Sequence, residues 1–268
     1  MGSTLHAGGA GARVSDASGT APEASGREGP ARGQQFVKFS GYRLGAALRG
    51  GSAEARAAAG RCLLELLDAS AERMLTRVYS TVGVRADTDF VVWQVAEELE
   101  AIRGWHALLL ASPLAGAIER SQSFLSMTMR SLYGNPLHAR AEGDAGRARL
   151  RAEESGSAYL FVYPMVKTRA WYALPRAERQ RMMDEHIAIG HRYHEVRINT
   201  TYSYGLDDQE FVVAFEADDP GLFLALVREL RESEASAYTE RDTPMLTCRR
   251  LAPVELAGEL GLTPGEPR

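Results

Sequence analysis

Strand-like and helix-like patterns follow one another along this chain in an order that occurs twice, and that repeat restricts the fold more than any single motif does. Residues 34–43 alternate apolar and polar side chains as a half-buried strand does. Residues 52–70 are rich in Ala, Leu, Glu and Arg and set Cys62, Leu63, Leu66 and Leu67 on one helical face. Strand patterns follow over 74–82 and 88–95, then a helix over 97–110 that stops near Ser112 and Pro113, then alternation again over 123–131. Residues 134–156, with their glycines and many charges, break the pattern as a linker would. The order then returns: a strand over 157–167, a helix over 175–193, strands over 196–205 and 209–216 with a turn at 205–208, a helix over 219–234 and a strand over 237–249. Pro244 in that last run marks an edge or a bulge.

Two β-α-β-β-α-β units, each the size of a ferredoxin-like module, predict an α+β protein of tandem ferredoxin-like repeats. The halves are expected at 34–133 and 157–252, with disordered or weakly ordered tails at 1–33 and 253–268. Each antiparallel sheet has one face for its helices and one left to cover, so the two sheets are expected to pack face to face with helices outside. Their edges then need closing by pairing or by oligomerisation.

Composition removes several function classes. The 268 residues carry a net charge of −4, without a basic run or aromatic-basic interleaving, which argues against nucleic acid. No apolar run approaches the ~18 residues of a membrane helix, and the Gly/Ala/Ser-rich start has no apolar core of a secretory signal. Cys62 and Cys248 lack CxxC spacing, so a reduced, cytoplasmic setting is the expectation.

Chemistry concentrates in the second half. Strand alternation points Tyr163, Met165 and Lys167 to one face: an oxidisable phenol, a soft side chain and a cation. An inward lysine is unusual unless it meets a carboxylate or reaches solvent; the plain alternative is an aromatic core residue followed by a strand-end lysine. On the next helix, Met182, His186, Ile189 and Tyr193 form a stripe that faces the sheet. His186 there is either a satisfied core histidine or a metal ligand. No Cys or second His stands at zinc spacing, whereas one axial histidine suffices for haem, whose porphyrin supplies four ligands.

Several segments in order carry a resemblance: residues 79–93 (YSTVGVRADTDFVVW), 125–133 (LSMTMRSLY), 163–167 (YPMVK), 171–175 (WYALP), 178–186 (ERQRMMDEH) with Gly190, 208–211 (DQEF) and 231–236 (RESEAS). Over roughly 36–250 the chain resembles the chlorite dismutase-like family, which has the dimeric α/β-barrel type of fold, and within it the coprohaem decarboxylases, most of all the actinobacterial branch. The resemblance implies that His186 is the proximal iron ligand and Tyr163 the catalytic tyrosine, which as a radical takes hydrogen from a propionate. It implies that Arg149, Lys167 and Ser236 hold propionates and that Met165 lines the same pocket. Iron-coproporphyrin III would be substrate and redox centre at once, hydrogen peroxide the oxidant, and haem b the product. Homopentamers, and transient contact with a ferrochelatase, are further implications.

The chain departs from the family pattern in three places. Asn199 stands where chlorite dismutases have a distal arginine, which removes the expectation of chlorite chemistry. Gly146 occupies the place of the actinobacterial distal histidine, the nearest linker histidine being His138, and Ile187 replaces a glycine after the proximal histidine. These departures leave open a diverged haem-binding relative that catalyses another haem-dependent reaction in a biosynthetic pathway, or a haem-binding or scaffold protein without turnover.

Overall fold

The computed structural model describes residues 33–129, 132–133 and 155–263. Strand β1 (Phe36–Leu44) is followed by the short α1 (Ala46–Arg49), then α2 (Ala53–Asp68), β2 (Leu75–Ser80), β3 (Phe90–Ala96), α3 (Leu99–Ala111) and β4 (Ile118–Met127). The second half supplies β5 (Tyr159–Lys167), α4 (Arg169–Ala173), α5 (Arg176–His191), β6 (Arg197–Tyr202), β7 (Phe211–Ala217), α6 (Pro220–Glu232), β8 (Thr239–Arg241), β9 (Leu246–Leu251) and α7 (Pro253–Glu259). The helices begin where local chemistry starts them. The Ser52 hydroxyl accepts from the Ala55 amide ahead of α2, and the Asp219 carboxylate accepts from the Gly221 amide ahead of α6, whose first residue is Pro220.

The two halves form sheets of order β4-β1-β3-β2 and β9-β5-β7-β6, antiparallel throughout. Pairing, not a partner chain, closes their edges here: β2 joins β9 through Val78, Tyr79 and Ser80, and β4 joins β6 through Met127 and Tyr202. Eight strands therefore return on themselves, and β8 extends the pairing from the end of β5. The inner faces share one core, with Val37, Phe39, Trp93 and Phe124 from the first half against Leu160, Val162, Val212 and Cys248 from the second. That interior also holds a buried ion pair. Arg77 reaches Glu216 at 3.3 Å and lies over the Trp93 ring, while Asn199 and Ser155 donate to the same carboxylate. The extra hydrogen bonds offset part of the cost of taking two charges out of water.

The structure corrects three expectations. Strand β4 starts at Ile118, five residues before the alternation suggested, because the polar Glu119 and Arg120 pair with β1 beyond a bulge at Gly41/Tyr42. The last strand divides into β8 and β9, with Pro244 between them. The segment read as a weakly ordered tail from 253 forms α7, and Leu256, Ala257, Leu260 and Leu262 join the core between α2, α3 and the first sheet. Gly60 in α2 makes this docking possible: a Cβ there would stand 2.0 Å from the Leu262 carbonyl oxygen. Residues 1–32 and 134–154, read as a tail and a linker, lie outside the described residues. No described helix is long and apolar enough to cross a membrane.

Candidate functional site

The site lies on the outer face of the second sheet, under α5 and α6. Alternation along β5 sends Leu160 and Val162 into the barrel core and Phe161, Tyr163 and Met165 to the helix side. Tyr163 stands opposite Val213, and its ring lies 6.0 Å from that of Phe215. Burial raises its phenolic pKa, the Asp242 carboxylate adds to the effect, and the hydroxyl stays protonated near neutrality.

Lys167 ends the strand beyond a bulge at Val166/Lys167 and is only 7% exposed. Its ammonium donates to the Ala235 carbonyl at 2.6 Å and to the Thr239 hydroxyl at 3.3 Å, and sits 4.8 Å from the centre of the Trp171 ring. Among the described residues no carboxylate forms an ion pair with it. Desolvation lowers its pKa to about 8, with the more distant Glu210 charge opposing that shift. A buried cation whose partners are all neutral is a ready seat for an anion.

His186 looks across from α5. Its Nδ1 lies 3.4 Å from the Ser233 hydroxyl, which itself donates to the Leu230 carbonyl at 2.7 Å. With the serine proton committed to Leu230, the hydroxyl oxygen accepts from Nδ1–H and leaves the Nε2 lone pair free. Desolvation first and the Lys167 charge second lower the imidazole pKa to about 4, so the ring is neutral, as a metal ligand must be. Among the described residues no cluster of three His, Cys, Asp or Glu could hold a metal by itself.

Between these side chains lies a cavity of about 600 Å³. Tyr163, Met165, Lys167, His186 and Ser236 all line it, so five of the residues singled out in the sequence meet in one space. Its walls are apolar where Val213, Phe215, Val227 and Leu230 face each other, and polar at the Lys167, Ser236 and Thr239 end. A flat apolar ring with carboxylates at its edge would fit that division, with the free Nε2 of His186 available to a metal it carried. Ile187 also lines the space.

Two further candidates stand differently. Arg149 lies outside the described residues, as do Gly146 and His138. Asn199 borders the cavity, but its amide donates to Glu216 at 3.1 Å in the barrel interior. The strand's alternation instead gives the His186 side Ile198 and Thr200. A one-residue change of register decides between these faces, and spacing from His186 alone could not resolve it. Sequence reasoning assigned no role to Trp171, Ser233, Glu210 or the Arg231–Asp242 ion pair on the cavity wall. Trp171, Glu210 and Arg231 do stand in the segments that carry the resemblance, whereas Ser233's contact depends on a long-range approach that no local pattern encodes.

Comparison with known proteins identifies relatives of this chain. The chain is 34% identical over 185 residues to the coproheme decarboxylase of Mycolicibacterium smegmatis, covering 68% of this chain and 76% of that one. It is 32% identical over 190 residues to the coproheme decarboxylase of Thermus thermophilus, covering 69% and 75%. Among solved structures, chlorite dismutase from Candidatus Nitrospira defluvii in complex with imidazole superposes with a TM-score of 0.75 at 20% identity, over 85% of this chain and 95% of that one. The sequence model of the family described as chlorite dismutase matches residues 56–251, from within α2 to the end of β9. That span takes in part or all of both repeats and every lining residue discussed above, and the chain belongs to the chlorite dismutase family.

Proposed function

We propose that this protein is a coprohaem decarboxylase, which converts two propionates of iron-coproporphyrin III to vinyl groups and yields haem b with hydrogen peroxide as oxidant. One observation carries the reading: an oxidisable phenol, a neutral imidazole and a buried cation with no carboxylate partner among the described residues line a single cavity of about 600 Å³. The similarity to enzymes named coproheme decarboxylase supports the same reaction.

Each turnover takes carbon dioxide, two electrons and one proton from one side chain, and peroxide takes up the electrons: propionate, peroxide and a proton give vinyl, carbon dioxide and two waters. The iron porphyrin, as substrate, supplies the redox centre. The chain's own residues do the rest. His186 holds the iron through Nε2, with Ser233 keeping its tautomer. Lys167 and Ser236, with Arg149 from the segment outside the described residues, take propionates, and Met165 packs beside them. Tyr163 gives up a hydrogen atom and recovers one from the reacting propionate, and its apolar surroundings favour the neutral phenol and phenoxyl over a phenolate. Asn199 in place of a distal arginine, with Ile198 and Thr200 beside it, suits this chemistry better than binding a chlorine oxyanion.

A reduced cytoplasmic setting and a homopentameric assembly belong to the same reading, as does transient contact with a ferrochelatase; the free thiols Cys62 and Cys248 suit that compartment. The test is direct. Purified protein is titrated with iron-coproporphyrin III, given peroxide, and the porphyrins are separated by chromatography and mass. Mono-vinyl and divinyl products are expected. A stable complex that bleaches without losing carbon dioxide would replace this function with the non-decarboxylating alternative.

A further inference from the structure

The segment 208–211, one of those that carry the family resemblance, has no part in the mechanism above. Its neighbours tie the two halves together. The Ser203 hydroxyl and the Gln209 amide donate to the Leu125 carbonyl at 2.5 and 3.3 Å, and the Asp207 carboxylate accepts from the Leu125 amide at 2.8 Å. Glu210 alone in this group turns to the site strand. One of its carboxylate oxygens accepts from the Lys167 backbone amide at 2.8 Å and from the Tyr172 hydroxyl at 2.6 Å. Its own amide donates to the Met165 carbonyl at 3.2 Å. The Tyr172 hydroxyl also lies 3.0 Å from that of Tyr204.

These contacts fall just past Met165–Phe211, the last pair of β5 with β7, while the other edge of β5 passes from β9 to β8 through a bulge at Val166/Lys167, so the β7 ladder no longer fixes the chain there. Lys167 and the next element, α4, are the groups that need placing. Tyr172 stands beside Trp171 in α4, and Trp171 lies under the Lys167 ammonium.

We propose that Glu210 is a positioning residue for the anion-holding end of the cavity: its carboxylate clamps the Lys167 backbone to Tyr172 and so fixes where the Lys167 ammonium and the Trp171 indole meet a ligand carboxylate. It does not touch the ligand. Its charge has a second effect, because it favours the protonated form of a lysine that burial otherwise neutralises. The other ionisable groups around this end are Tyr172 on α4, His186 on α5, Arg231 on α6 and Asp242 after β8. Glu210 differs from them in holding the Lys167 main chain.

The inference rests on the proposed porphyrin substrate, and its test separates the two. Metal-free coproporphyrin III, a tetracarboxylate that needs no His186–iron bond, is titrated by fluorescence into the full chain and into Glu210→Gln, Glu210→Ala, Lys167→Met and the double variants. Glu210→Ala is expected to weaken binding about ten-fold at neutral pH, on the scale of a charge-assisted contact. Glu210→Gln keeps both acceptor bonds and restores most of the affinity in mildly acid solution, while its loss of affinity at high pH begins about one unit lower. In the Lys167→Met background neither change matters further. Parent-like binding by Glu210→Ala, or an undiminished effect without Lys167, overturns the proposal. Amide hydrogen exchange at Lys167 in unliganded protein reads the clamp independently. A parent that binds no porphyrin defeats the proposed substrate, yet faster Lys167 exchange in Glu210→Ala still supports the clamp, and unchanged exchange rejects it.

Discussion

The two halves of this barrel have the same strand order and long helices of the same lengths, yet among the described residues the candidate cavity lies in the second half. Register makes the comparison residue by residue. Tyr163 pairs with Val213, the third residue of β7, as Ser40 pairs with Val92, the third residue of β3. Met165 and Lys167 then correspond to Tyr42 and Leu44. Counted from the first residue of each sixteen-residue helix, His186 on α5 corresponds to Leu63 on α2. The first half places Tyr42, Leu44 and Leu63 in a filled core, completed by Leu256 of α7 and by Leu260 and Leu262 just after it. The second half keeps a cavity of about 600 Å³ where the chemistry-bearing set stands. The same backbone gives stability on one face and a site on the other, and side-chain volume together with one added helix accounts for the difference.

The largest test of this division is at the phenol. Tyr163→Phe is expected to lower the decarboxylation rate at least about a thousand-fold, roughly 4 kcal/mol in barrier height, while porphyrin affinity stays near that of the parent. Rapid-quench product analysis and a Soret titration measure the two quantities. Retained turnover would remove Tyr163 from the reaction and with it the contrast to Ser40.

The paired positions His186 and Leu63 should separate function from stability. Leu63→Ala is expected to cost about 3 kcal/mol in denaturant unfolding and leave the iron-porphyrin spectrum unchanged. His186→Ala should change the ferric Soret band, with a smaller loss of stability. An unchanged spectrum in His186→Ala would dissolve the distinction between the two helices.

Docking of α7 offers a smaller effect confined to the first half. Gly60→Ala puts a methyl group against the Leu262 carbonyl and is expected to destabilise by about 2 kcal/mol, with faster amide exchange across α7 and no change in porphyrin binding. Equal disturbance of α5 would mean that the halves are not energetically separate.

The smallest expected effect is a pH dependence. Burial depresses the Lys167 pKa from its ordinary value to about 8, so between about pH 8 and 10.5 the unfolded chain binds more protons than the folded one. Unliganded protein should therefore gain stability as pH rises through that window. The gain should shrink with coproporphyrin bound, since an anion raises the lysine pKa again, and it should vanish in Lys167→Met. Thermal melts in matched buffers across pH 7.5–10.5 read the sign.

Much of this was legible in the residues, because some of the information is local. Alternation on β5 and helical spacing on α5 place Tyr163, Lys167 and His186 without reference to the rest of the chain. Ser52 and Asp219 announce their helices as caps. Other features were hidden for equally physical reasons. The helix α7 has only seven residues, too short to be stable alone, and its leucines acquire meaning only against α2. Asn199 lines the cavity, yet its amide turns to Glu216, a direction that depends on pairing with β7 and that spacing alone does not give.

The chain's own periodicities, then, dictate two ferredoxin-like repeats and load the second with a phenol, a lysine and a histidine, because strand and helix patterns are properties of neighbouring residues. Distant segments meeting in space settle the remainder: pairing of β2 with β9 and β4 with β6, filling of the first face by α7, and the neutral Ala235 and Thr239 oxygens that receive the Lys167 ammonium. Contacts between residues far apart in sequence depend on the packed whole, and no window of the chain contains them.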